Sequence, residues 1–202
     1  MTEWANFRNM VEEKYPALST VLADGTSIDE LKLFESELGV ELPSLFVDIL
    51  TNSDGQKDET KFFFFGTQLM SLEEIKNEME MNNELVESMA GEGDMCSSTP
   101  ENHIKCEYAS NKWIPLFNSG GTCIGLDFDP GEQGVLGQVI NFGADDENKY
   151  VLAKSLDEFI KSSADRLIAG KDINFNEQYQ FYGYTELCYS DAIARETYFE
   201  NS

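Results

Sequence analysis

Residues Trp113 to Phe142 read WIPLFNSGGTCIGLDFDPGEQGVLGQVINF, and this stretch decides the fold. Trp113-Ile114-Pro115-Leu116-Phe117 is a strand-forming run, and its proline predicts an edge or end position because proline cannot donate to a sheet ladder. Asn118-Ser119-Gly120-Gly121 follows as a turn. From Cys123 to Asp129, Ile124, Leu126 and Phe128 share one face while Cys123, Gly125, Asp127 and Asp129 share the other, which is strand alternation. Pro130 to Gly134 turns the chain, and Gly137-Gln138-Val139-Ile140-Asn141-Phe142 returns as another strand.

Toward the C-terminus, Gly143 to Lys149 is an acidic turn and Tyr150-Val151-Leu152-Ala153 a fourth strand. Ser155 with Glu158 forms a capping box that opens a helix with Leu156, Phe159, Ile160, Ser163 and Leu167 along its inner stripe. Short strands joined by tight turns favour antiparallel pairing, since parallel neighbours need long crossovers. The expected architecture is therefore α+β, a single domain with a mainly antiparallel sheet of about four to six strands and helices packed on one face. The segment 169–202 carries Phe175, Tyr179, Phe181, Tyr182, Tyr184, Tyr189, Tyr198 and Phe199, too aromatic for a disordered tail. It is expected to dock on a domain spanning 1–168 as a hairpin or helical extension.

Toward the N-terminus, Trp4, Phe7, Val11 and Tyr15 (or Met10) recur at helical steps within Thr2 to Leu22 until Pro16 interrupts them. Ser27 and Glu30 form a capping box ahead of an apolar stripe of Ile28, Leu31, Phe34 (or Leu33) and Leu38, and Gly39 supplies a stop. A shorter helix starts after Leu42-Pro43 and ends at Asn52-Ser53-Asp54-Gly55. Phe62-Phe63-Phe64-Phe65 reads as a strand buried on both faces. Ser71 and Glu74 make another capping box, with Leu72, Ile75, Met79, Val86 and Met89 at helical spacing. The pattern fails between Ala90 and Asn111, where a loop is expected. No linker and no internal repeat separates parts of the chain.

Charge narrows the function. The net charge is −24, from 38 Asp and Glu against 14 Lys and Arg, and Arg8, Arg166 and Arg195 are the only arginines. Nucleic-acid binding draws its affinity from cations that release condensed counterions, so DNA, RNA and anionic membrane surfaces are poor partners for this surface. A basic protein is the favoured one. Cys96, Cys106, Cys123 and Cys188 follow no CxxC rhythm and read as reduced thiols. The opening Met1 to Met10 does not read as a secretory leader, and no apolar run is long enough to span a membrane, which together point to the cytoplasm.

The fold-determining block carries a likeness. Trp113-Ile-Pro115-Leu-Phe, Gly120-Gly121, the Asp127-Phe-Asp129-Pro130 corner, Gly137-Gln138-Val139-Ile140 with Phe142-Gly143, and Lys149-Tyr-Val-Leu-Ala with Ser155 and Phe159 together resemble the SUKH superfamily. More narrowly they are similar to its branch named for fungal cell-wall-assembly regulators of the Smi and Knr type, over roughly Ile28 to Leu167. The resemblance implies a single α+β domain without established enzymatic activity. It also implies a binding role: bacterial members are commonly immunity proteins that neutralise toxin domains, often nucleases, and eukaryotic members are regulatory interaction hubs. The leading expectation is a non-catalytic immunity-type protein that binds a basic toxin domain. The alternatives are a regulatory adaptor in cell-wall or growth signalling and, behind it, a metal-dependent hydrolase.

Three acidic groups are candidates for partner contact. Ser71 to Met95 holds eight carboxylates (Glu73, Glu74, Glu78, Glu80, Glu84, Glu87, Glu92 and Asp94) against the single Lys76. Asp127 and Asp129 form the second group, and Asp145, Asp146 and Glu147 the third. The second and third could in principle hold calcium or magnesium through hard oxygen ligands, but their spacing matches no EF-hand, and neither a metal nor a cofactor is expected. His103, the only histidine, has no nucleophile motif beside it and reads as an ordinary loop residue. Gly120-Gly121 and Gly134 to Gly137 lack phosphate-loop spacing, and Trp113 reads as a core anchor before a binding hot spot.

Overall fold

The computed structural model describes residues 2–58, 60–88, 97–143, 146–178, 181–184 and 187–199. Helix α1 (Glu3–Lys14) starts at Thr2, whose hydroxyl accepts from the Ala5 N–H, and buries Trp4, Phe7 and Val11. It is shorter than the expected Thr2 to Leu22 because Pro16 opens a separate 3-10 turn, Pro16–Leu18. Helix α2 (Ile28–Leu38) has both halves of the Ser27/Glu30 capping box and stops at Gly39 with φ of +67°. Helix α3 (Ser44–Asn52) follows Pro43.

The central sheet has six strands: β1 (Gln68–Leu69), β2 (Ser97–Thr99), β3 (Trp113–Ser119), β4 (Thr122–Asp127), β5 (Gln138–Phe142) and β6 (Asn148–Ala153), in the order β1-β3-β4-β5-β6-β2. Strands β3 to β6 form the antiparallel meander read from the sequence. Strand β1 adds antiparallel to β3, while β2 adds parallel to β6, making the sheet mixed. β2 lies within the expected loop Ala90 to Asn111, of which residues 89–96 fall outside the described set. Pro115 does not mark an edge strand. It sits beyond the two-residue pairing with β1, beside a bulge between Pro115 and Phe117 that turns both Leu116 and Phe117 toward the main core.

Helix α4 (Leu72–Ser88) precedes β2, and α5 (Leu156–Ala169) follows β6 from its Ser155 cap. The tail contributes both expected forms: a hairpin of β7 (Ile173–Asn176) and β8 (Phe181–Tyr184), then α6 (Tyr189–Ala194) running into a π-helical turn, Arg195–Phe199. Tyr182, Tyr189 and Ile193 join the same buried cluster as α1, α3, α5 and one face of the sheet. The other sheet face holds a smaller cluster of Trp113, Cys123, Ile140, Phe142 and Val151, and Ile104 from the 100–112 segment closes it.

Phe62 to Phe65 is not a strand. Phe65 has φ of +47° and Gly66 +79°, while the Phe64 and Thr67 backbones exchange hydrogen bonds of 3.0 and 2.8 Å, so the run ends in a tight turn with isolated bridges only. The turn sends Phe63, Phe64 and Phe65 into the core together, where strand alternation would have split them. Phe64 stacks on Phe117 at 4.1 Å and approaches Phe7, Phe159 and Tyr189 at 5.1, 5.6 and 5.6 Å. Phe64→Ala should therefore cost about 3–5 kcal/mol in urea denaturation.

Candidate protein-binding surface

Helix α4 is amphipathic by construction. The Ser71 hydroxyl accepts from the Glu74 N–H at 3.2 Å, and the Glu74 carboxylate accepts from the Ser71 N–H, completing a capping box. The Leu72 N–H donates to Asp54 Oδ1 at 2.7 Å. Leu72, Ile75, Met79 and Asn82 face inward. Glu73, Glu74, Glu80, Glu84 and Glu87 are exposed on the outer side, and Glu78 is half-buried. Lys76 does not neutralise them. Its ammonium turns to α2, 3.5 Å from Glu37 and 5.5 Å from the Phe34 ring centre. Glu92 and Asp94 lie outside the described residues.

Between α4, β1 and the end of β3 lies a cleft of about 250 Å³ lined by Gln68, Met70, Asn77, Glu78, Met81 and Asn118 among others. Partial burial there raises the Glu78 carboxyl pKa above its ordinary value.

The Asp127 and Asp129 corner is built differently from its sequence reading. Asp127, expected on a partner surface, is fully enclosed (0% exposed). Its carboxylate accepts from the Asp129 N–H at 3.0 Å and from Gln138 Nε2 at 3.0 Å. The same Gln138 amide donates to the His103 carbonyl, and its oxygen accepts from the Val135 N–H. Asp127 and Gln138 thus pin the 130–137 turn against the 100–105 segment. Gly134 fits there because a Cβ would stand 2.2 Å from the His103 carbonyl oxygen. Burial outweighs these hydrogen bonds and raises the Asp127 pKa. Asp129 is on the surface but paired with Lys105 at 2.5 Å. His103 serves through its backbone, and its ring Nδ1 lies 3.0 Å from the Glu101 carbonyl with no serine or cysteine partner among the described residues.

In the third group, Glu147 is exposed and Asp145 is outside the described residues. Asp146 is half-buried, accepts from Asn141 Nδ2 at 3.0 Å and has its pKa raised by burial. Its backbone carbonyl accepts from the ammonium of Lys149, a fully buried lysine 5.4 Å from the Trp113 ring centre. Among the described residues no three His, Cys, Asp or Glu side chains form a group that could hold a metal ion. Cys106, Cys123 and Cys188 are free thiols, and burial pushes Cys123 up to about 12, leaving it unreactive near neutral pH. No described helix is long and apolar enough to cross a membrane.

Residues 25–162 match the SMI1/KNR4 family (SUKH-1). The chain belongs to this family. It is 33% identical to the cell wall biosynthesis/cell cycle regulator smi1 of Schizosaccharomyces pombe, across 83% of the chain and 36% of that relative. It is 28% identical to the cell wall assembly regulator SMI1 of Saccharomyces cerevisiae, across 98% of the chain and 47% of the relative. A glucan synthesis regulatory protein of Neurospora crassa is 27% identical, across 84% of the chain and 38% of the relative. In each case the chain matches less than half of the relative's length. The resemblance of the Trp113 to Phe159 block to the Smi and Knr branch is thereby confirmed, as are the α+β class and single domain.

The residues that sequence reasoning missed are those whose roles need three-dimensional neighbours. Gln68, Asn77 and Asn118 come from three separate elements and meet only at the cleft. Gln138 had a visible signal, being a polar residue in an apolar strand and 1% exposed. Asp127→Asn would set an amide donor against either the Asp129 N–H or the Gln138 amide, costing about 1–3 kcal/mol. Because the folded pKa of Asp127 lies above the unfolded one, the stabilisation from its protonated form is complete below the unfolded pKa, about pH 4, and fades as pH rises through the folded value. Urea melts across pH should accordingly show the variant's deficit largest in acid and shrinking with rising pH.

Proposed function

We propose that this chain is a non-catalytic, protein-binding regulatory module of the SMI1/KNR4 type, working in cell-wall or growth control. The observation that carries the reading is the outer face of α4. Its carboxylates stand together in solvent while Lys76, the one Lys or Arg in the helix sequence, is turned away to Glu37 and Phe34. Both faces of the sheet are meanwhile occupied by the protein's own side chains. An acidic helix face of this kind favours a basic partner through steering and charge complementarity.

The regulators named among its relatives favour this reading over the immunity one, which rested on the same acidic surface. The arrangement supports binding better than hydrolysis, since Asp127 is held in an internal network and Asp129 is paired with Lys105. A cytoplasmic location is part of the same proposal.

The test is affinity capture with the full chain and with a triple variant, Glu80→Lys, Glu84→Lys and Glu87→Lys, followed by identification of what is retained. A regulatory module should retain signalling or envelope-synthesis proteins, lose them in the variant, and lose them as salt screens the exposed charges. Retention of a toxin domain would support the immunity reading instead. Retention unaffected by the triple reversal would contradict the α4 face.

A further inference from the structure

The cleft beside α4 differs from the rest of the acidic surface. Glu74 also lines the cleft, with its Oε2 accepting from the Ser71 N–H and hydroxyl in the capping box, whereas Glu80, Glu84 and Glu87 are exposed and do not line it. Glu78 is the cleft carboxylate that the capping box does not hold. It is half-buried and, among the described residues, has neither a hydrogen-bond nor an ion-pair partner. A carboxylate drawn partly out of water without a counter-charge is left open to pairing with a cation that enters the cleft.

The other walls narrow what that occupant is. Met70 and Met81 supply polarisable thioethers, and Met81 is 53% exposed at the rim. Gln68 and Asn77 bring side-chain amides. Asn118 is fixed in place, its oxygen accepting from the Gly120 N–H at 2.8 Å and its amide donating to Cys123 Sγ at 3.4 Å. A guanidinium is planar, always charged and carries five donors. It can pair bidentately with a carboxylate, use neighbouring amide oxygens and lay its flat face and stem on apolar walls. A lysine ammonium is a compact point charge that uses fewer of these features.

We propose that the cleft between α4, β1 and the end of β3 receives an arginine side chain of the partner protein, with Glu78 pairing with the guanidinium between the two methionines. This inference rests on the protein-binding reading above and names one contact within it.

The experiment is a nuclear magnetic resonance titration of the full chain with acetyl-Gly-Arg-Gly-amide and with its lysine and citrulline counterparts, at physiological ionic strength. The arginine peptide should give saturable shifts in the side-chain amides of Gln68 and Asn77 and the methyls of Met70 and Met81. Glu78→Gln should weaken it at least about tenfold, the loss of one charge-assisted contact. Glu13→Gln, an exposed position on α1 away from the cleft, should leave it unchanged, and the lysine peptide should bind more weakly. Glu78→Gln removes an unpaired charge, so a thermal melt should find it at least as stable as the parent. The proposal is overturned by shifts spread along α4, by equal effects of Glu78→Gln and Glu13→Gln, by equal binding of lysine or citrulline, or by no saturable shift. If those results accompany partner capture that is still abolished by the triple α4 reversal, the arginine contact fails while the protein-binding reading stands. Failure of the capture experiment removes the reading itself.

Discussion

The stacking of Phe64 on Phe117 is the contact from which the rest of the architecture is organised. It brings the turn after Phe62 onto β3, and the neighbouring rings extend the same cluster to α1 through Phe7, to α5 through Phe159 and to α6 through Tyr189. Phe65 lies parallel to Tyr189 at 4.2 Å and edge-on to Tyr182 at 4.9 Å, so the C-terminal hairpin and α6 are tied to the same centre. Aromatic contacts of this kind add directional preference to area burial, which is why one turn with two positive φ values can set the placement of four elements.

This centre also determines where recognition can occur. One sheet face is filled by the aromatic cluster, and the other is closed by Ile104 over Trp113, Cys123, Ile140, Phe142 and Val151. Lys149 and Asp127, charged residues that would sit on an open sheet surface, are instead enclosed with internal partners. What remains for a partner is the periphery. On it, α4 presents its carboxylates and the adjoining cleft, which is where the proposal places the contact.

The sequence was most informative where spacing alone determines structure. The alternation from Cys123 to Asp129 placed Leu126 and Asp127 on opposite faces, and the serine caps at 27, 71 and 155 each begin a helix. It was least informative where backbone handedness or a distant neighbour decides. Nothing in four consecutive phenylalanines announces that Phe65 adopts positive φ, and nothing in Ser97-Ser98-Thr99 announces a parallel partner 51 residues away, where Ser97 meets Asn148. Asp127 was legible as an inward- or outward-facing carboxylate only to within its strand face. Its burial depends on the 100–105 segment folding over it, a tertiary event that local periodicity does not encode.

The central claim is that a partner engages the α4 side of a protein whose sheet faces stay closed. Hydrogen exchange of the full chain with and without its captured partner tests this most directly. The account predicts added protection along 72–88 and at Gln68 to Met70, with no change across Trp113 to Phe117. Protection confined to 97–112, or faster exchange in β3 and β5 on binding, would mean that the second sheet face opens to receive the partner, and would contradict it.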